Sequence, residues 1–236
     1  MRLLELERVG KRYRHGSRVA LADVSLVIEA GEMVVVWGER RSGRSTLLRV
    51  AAGIEPPDSG VVRFAGRDLA RAGGQALANG IGYCRRVFRV SAGQTVLEHL
   101  LAAHFARRVP RATALHRSWQ ALQRVEAEHC ASLRASELSR DEVVRVAIAR
   151  GLGCGPRLLV IDEPTIGVEL AERDRILFLL RSLADEGIAV LTSAGEGTGL
   201  LGADRVLSLG NGRLRGELMP ELAPVTELSR HRRMSG

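Results

Sequence analysis

The sequence predicts an α/β fold built around a largely parallel sheet. Three observations lead there. Strand-like and helix-like segments alternate toward both ends of the chain. Two short runs, MVVVW at 33–37 and LLVI at 158–161, are wholly apolar, the pattern of strands buried on both faces. The first of them leads through a glycine-bearing loop, 38–46, into LLRVAAGI at 47–54, giving the order strand, loop, helix.

The other elements follow in order. Residues 3–9 and 19–28 read as strands, 29–32 (EAGE) as a turn, and 61–66 as another strand after the turn cluster EPPDSG. IGYC at 81–84 is a short strand. Helical periodicity begins at Thr95 and runs to about 135. It carries apolar residues at 96, 97, 100, 101 and 105, then Trp119, Leu122 and Val125. The charged, proline-bearing stretch 107–117 is expected to break it. RDEVVRVAIARGL (140–152) is an amphipathic helix, and ERDRILFLLRSLADEG (172–187) is a helix stopped by Gly187. Segments 188–194 and 205–214 are late strands, with Asn211-Gly212 as a hairpin turn.

Composition narrows the function classes. No apolar run approaches the ~18 residues that would cross a bilayer. The first ten residues, interrupted by Glu5, Glu7 and Arg8, do not read as a signal peptide. The expected location is cytoplasmic, with any membrane role reached through a partner. Cys84, Cys130 and Cys154 form no CxxC pair or Cys/His cluster in the sequence and read as reduced thiols. The six histidines read as surface or partly buried polar residues. The net charge of +8 is almost all arginine, since Lys11 is the only lysine, and it is spread along the chain. With aromatics at 3%, stacking platforms for single-stranded nucleic acid are missing, and no nucleic-acid partner is expected.

The strongest motif is Gly38-Glu39-Arg40-Arg41-Ser42-Gly43-Arg44-Ser45-Thr46. It has the G-x-x-x-x-G-K-[ST] spacing of a phosphate-binding P-loop, between a strand and a helix. Glycines let backbone amides close around phosphate oxygens, and the helix start favours negative charge. Ser45 would ligate Mg²⁺, and Thr46 would add a secondary polar contact. Arg44 stands where lysine is usual; a long planar fork replaces a compact point charge. Arg40 and Arg41 add two more charges that could hold phosphate.

The second motif is RLLVIDEPT at 157–165, an apolar strand ending in two acids. Ligands of open α/β sheets bind at the carboxyl ends of strands. There Asp162 would hold Mg²⁺ and Glu163 could polarise an attacking water.

DEPT after four apolar residues, the P-loop upstream and ELS-x₆-VAIAR between them resemble the ABC ATPase family over about residues 3–216. Within it, the pattern is nearest to the lipoprotein-release and macrolide-export type. The resemblance implies a P-loop NTPase (RecA-like) core with a mostly parallel sheet, a small antiparallel β-subdomain and an inserted helical subdomain at about 90–150. It implies one ATP-binding domain over 1–220, followed by a basic, loose tail at 221–236. It implies ATP and Mg²⁺ as cofactors. It also implies a head-to-tail dimer with a second ATP-binding subunit, identical or different, and an integral-membrane permease as partner. Tyr13, after the first strand, matches the family's adenine-stacking aromatic.

Several positions depart from the family pattern. Arg86 stands where a glutamine contacts metal and water, and arginine can neither accept a hydrogen bond nor ligate a cation. Ser139-Arg140-Asp141-Glu142 replaces the glycine-rich signature segment, adding side chains and charge where backbone would approach the partner's nucleotide. Glu169 replaces an aspartate. Gly195 replaces the histidine that contacts the γ-phosphate. Removing positioned groups costs about 10²–10⁴ in rate each, not additively. The expectation is a transporter ATP-binding subunit with weak or partner-dependent hydrolysis. The alternatives are a non-catalytic regulatory or scaffold module of the same family, or a soluble family member acting on nucleic acid or ribosomes.

Overall fold

The run at 33–37 forms β3 (Met33–Trp37), and its side chains divide between two cores. Met33 and Val35 join one cluster of buried residues, Val34 and Val36 the other. Alternation of this kind requires a strand covered on both faces. In this computed structural model, which describes residues 1–13, 18–72, 80–85, 93–153, 155–195 and 200–218, β3 lies inside a six-stranded sheet.

The parallel neighbours of β3 are β8 (Ala189–Ala194) and β9 (Arg205–Gly210). Beyond β8 come β7 (Leu158–Ile161) and β6 (Ile81–Cys84), also parallel. β10 (Arg213–Leu218) pairs antiparallel with β9. The turn joining them has Asn211 at φ 52° and Gly212 at φ 74°, as the Asn-Gly pair predicted. A separate antiparallel sheet has the order β2 (Arg18–Glu29), β1 (Arg2–Tyr13), β4 (Ser59–Phe64), β5 (Arg67–Asp68). It packs on the core that holds Val34 and Val36, together with α1 (Arg44–Ala51). A short helix, α2 (Leu69–Ala72), follows β5.

Between β6 and β7 the chain inserts α3 (Val96–Phe105), α4 (Arg111–Arg124) and α5 (Arg140–Leu152). They pack on the core that holds Met33 and Val35, as does α6 (Leu170–Asp185). Thr95 starts α3 with a full capping box: its hydroxyl accepts from the Glu98 amide and the Glu98 carboxylate accepts from the Thr95 amide. The expectation that 107–117 breaks the helices needs correction. The break is short, and Arg111 to Arg117 form the first half of α4, with Pro110 at its N-cap. Proline fits a helix start because its missing amide proton is not needed there, and arginines are good helix formers. Likewise α1 starts three residues before the predicted stretch and ends at Ala51, and Tyr13 is the last residue of β1 and not past it. Among the described residues, no helix is long and apolar enough to cross a membrane.

Candidate functional site

The strand order β3-β8-β7 brings three carboxyl ends side by side: the loop from Gly38, the 193–195 segment, and Asp162-Glu163. The P-loop glycines are required by packing. A Cβ on Gly38 would lie 2.3 Å from the carbonyl oxygen of Leu209, and one on Gly43, at φ 111°, 2.3 Å from that of Ala20. The first amides of α1 have no partner within the helix. Arg41 adopts φ 66°, a conformation unusual for a non-glycine residue and one that helps fold the loop back. The cleft in front of it measures about 520 Å³ and is lined by Gly38, Arg40, Arg44, Glu163, Arg173 and Gly195 among others.

Arg44 lines this cleft with one branch of its fork already paired. Its Nη2 lies 2.7 Å from Glu163 Oε1, and the two side chains are 7% and 10% exposed. Among the described residues its Nη1 has no hydrogen-bond partner. Gly195 lies beside it: a Cβ there would stand 3.6 Å from Arg44 Nη1 and 3.9 Å from Nη2, in ordinary contact. Positions 44 and 195 are therefore neighbours in space. Glu163 sits at φ 49°, in the left-handed region, an uncommon backbone conformation for a non-glycine residue.

Asp162 is 5% exposed. The Ser193 hydroxyl donates to Asp162 Oδ1 at 2.7 Å and accepts from the Glu163 amide at 3.0 Å. Ser193 thus positions both acids, a role sequence reading did not give it. The available signal was the polar pair Thr192-Ser193 in an otherwise apolar strand. The Asp162 charge, after burial, also helps push the Tyr83 hydroxyl up to about 12.

Other candidates fall as follows. Ser45 is half-buried beside Arg44 in the first turn of α1. Thr46 turns away from the cleft, its hydroxyl 3.4 Å from both the Tyr13 hydroxyl and Arg49 Nη2. Tyr13 is held at its hydroxyl by Glu55 at 2.5 Å and Arg49 at 2.9 Å, leaving the ring partly exposed beside α1. Glu39, Arg40 and Arg41 are exposed, and Ser42 is buried. Ser139 caps α5, accepting from the Glu142 amide and donating to Asp141 Oδ1 at 2.8 Å. Arg140 reaches across to the carbonyl of Gly167, 3.2 Å away, tying the inserted helices to the loop after Glu163. Glu169 is the N-cap residue of α6 but makes no side-chain cap. Arg86 lies outside the described residues, as does the tail from 219 onward.

The donors present suit a nucleoside triphosphate with Mg²⁺. A hydroxyl at Ser45 and a carboxylate at Asp162 are the hard oxygens Mg²⁺ prefers, and the loop is closed by glycines that no side chain could replace. The misfit is Arg44, whose guanidinium is committed to Glu163.

A P-loop NTPase fold with an inserted helical bundle is the class this geometry defines. The family model described as ABC transporter matches residues 21–166, and the chain belongs to that family as an ATP-binding cassette. The lipoprotein-releasing system ATP-binding protein LolD of Chromohalobacter salexigens is 33% identical, covering 90% of this chain and 92% of that protein. The phosphonates import ATP-binding protein PhnC 1 of Rhodopseudomonas palustris is 34% identical over 81% of this chain and 72% of its own length. Among solved structures, the ATP-binding cassette MJ0796, a dimer in a post-hydrolysis state bound to ADP and Pi, superposes with TM-score 0.83 at 25% identity, covering 93% and 99% of the two chains. The cbiO1 protein of Clostridium perfringens, part of the cbiONQ transporter complex, gives TM-score 0.80 at 27% identity, covering 93% and 89%.

Proposed function

We propose that this cassette binds ATP with Mg²⁺ along residues 38–46, couples to a separate membrane permease, and hydrolyses ATP weakly unless paired with a more complete ATP-binding subunit. The observation that carries the reading is the buried Arg44–Glu163 ion pair. It holds the candidate base and the candidate phosphate ligand against each other, so each must be released before it can serve nucleotide. Ser45 and Asp162 are the residues to hold Mg²⁺, which would neutralise charge on the β- and γ-phosphates. Glu163, once free of Arg44, is placed to accept a proton from water, and Ser193 keeps its backbone in position. The exposed ring of Tyr13 is the surface for adenine stacking. Gly195 and Arg86 replace side chains that would otherwise contact phosphate, metal or water. Ser139–Glu142 offers a partner's nucleotide a charged helix cap in place of glycine backbone. Phe105, Leu115 and Trp119 leave an apolar face of the insert exposed at 47%, 39% and 38%, the surface offered to a permease.

Calorimetric titration of the purified chain with ATP·Mg²⁺ is expected to give binding that weakens in Arg44→Ala. No binding at millimolar ATP would overturn the nucleotide reading. Turnover in the complex reconstituted with its permease is expected to fall about 10²-fold or more in Glu163→Gln. Equal rates would remove Glu163 as the base and favour a non-catalytic module.

A further inference from the structure

His129 and Cys130 end a single 3₁₀ turn at 128–130, and Glu142 lies in the first turn of α5. The fold brings them together. His129 Nε2 is 2.9 Å from Glu142 Oε1 and 3.3 Å from Cys130 Sγ. All three donor atoms lie within 4.8 Å of one another. The sequence reading that found no Cys/His cluster is corrected here, since the third member comes from a separate helix. We infer that His129, Cys130 and Glu142 form a site for a single borderline divalent cation, of which Zn²⁺ is the best fit.

Donor chemistry supports this. Imidazole nitrogen, thiolate sulfur and carboxylate oxygen together are ligands for zinc and not for Mg²⁺ or Ca²⁺. Bond lengths of 2.0–2.3 Å to a tetrahedral zinc place ligand atoms about 3.4 Å apart; the Cys130–His129 separation is 3.3 Å, and the His129–Glu142 hydrogen bond at 2.9 Å would open slightly to admit the ion. The carboxylate is oriented from behind: Glu142 Oε2 accepts from the Ser139 amide at 2.7 Å, leaving Oε1 turned to the imidazole. Outer hydrogen bonds of this kind fix ligands at metal sites. His129 is 60% exposed, so an ion can enter from solvent and a water can take the fourth position.

The charge balance without a cation is unfavourable to a thiolate. Burial, then the Glu142 carboxylate, pushes the Cys130 thiol up to about 11. The amide of Ser139, then His129, holds the Glu142 carboxyl down at about 2, so it is ionised throughout the working range. Zinc binding would displace the thiol proton to solvent, S–H giving S⁻–Zn and H⁺. A bound ion would clamp the 128–130 turn to the start of α5 and fix Ser139–Glu142. That consequence for nucleotide coupling rests on the proposed function, whereas the site itself does not.

The test uses the full-length chain without nucleotide. Titration with Zn²⁺ is expected to give one site per chain with proton release, and Co²⁺ in its place a thiolate-to-cobalt charge-transfer band. Cys130→Ser is expected to abolish that band, and the exposed His129→Ala to weaken zinc binding about 10-fold or more. Cys84→Ser and Cys154→Ser are expected to leave both signals intact. A cobalt spectrum with no charge-transfer band, or zinc affinity unchanged in His129→Ala, would overturn the inference. His129→Ala keeps the test decisive if Cys130→Ser folds poorly. Co²⁺ held by Ser45 and Asp162 would give no sulfur band, so the result is independent of nucleotide binding.

Discussion

Arginine at position 44 is longer than lysine and forked, and here one branch of the fork ends on Glu163 while the other lies 3.6 Å from where a Cβ at 195 would stand, an ordinary contact that a longer side chain there would have to share. Two departures that look separate in the sequence are neighbours in space. The two positions can therefore act on each other: Gly195→His would place an imidazole next to the guanidinium, whereas Arg44→Lys removes the fork beside 195. The double variant Arg44→Lys/Gly195→His is expected to raise ATP turnover in the permease complex by more than the product of the two single changes. Steady-state rates of all four proteins check this, and a purely multiplicative result removes the coupling. Individual residues were legible where their partners are close in sequence. The P-loop spacing and the paired acids of 162–163 announced themselves. The Arg44–Glu163 contact and the anchoring role of Ser193 depend on strands far apart in the chain, and no local pattern encodes them.

At the scale of elements, local chemistry and tertiary packing agreed in most places. α5 spans the very residues its periodicity marked, because Ser139 and Glu142 write its start into the sequence. α3 is defined in the same way by Thr95 and Glu98. Loss of an N-cap side chain costs about 1 kcal/mol, so Thr95→Ala is expected to lower stability by about that amount, measured as a shift in the urea midpoint. An unchanged midpoint would mean that packing of Val96 and Leu100, both buried, holds the helix start unaided. The N-terminal half of α4 is hidden in the sequence by its charge and its proline, and the buried side of the helix is made only of Ala114, Ser118, Ala121 and Leu122. A helix whose inner face is small residues gives a weak hydrophobic period. The 3₁₀ turns at 128–130 and 135–137 are too short to carry any period.

For the whole molecule, the two cores and the inserted helices follow from which strands are apolar on both faces and which on one. The largely parallel sheet was legible for that reason; the antiparallel sheet was expected only from the family resemblance, and the order of strands was not legible. That order has one further consequence. Both neighbours of β3 come from the last third of the chain, and the hairpin after them completes the loop: Leu209 backs Gly38, while the Gly212 amide donates to the Ser42 carbonyl and its own carbonyl accepts from Ala22, each at 2.8 Å. A fragment ending at Asp204 is expected to bind no fluorescent ATP analogue, although it contains the whole of 38–46; binding equal to that of the full chain would contradict this. In a cell the chain is made from its N-terminus, so the first ligand-binding motif to leave the ribosome is among the last to take shape. During synthesis β3 waits with both edges unpaired for most of the chain's length. The interval of greatest exposure to misassociation is thus set by the position of the final hairpin in the gene.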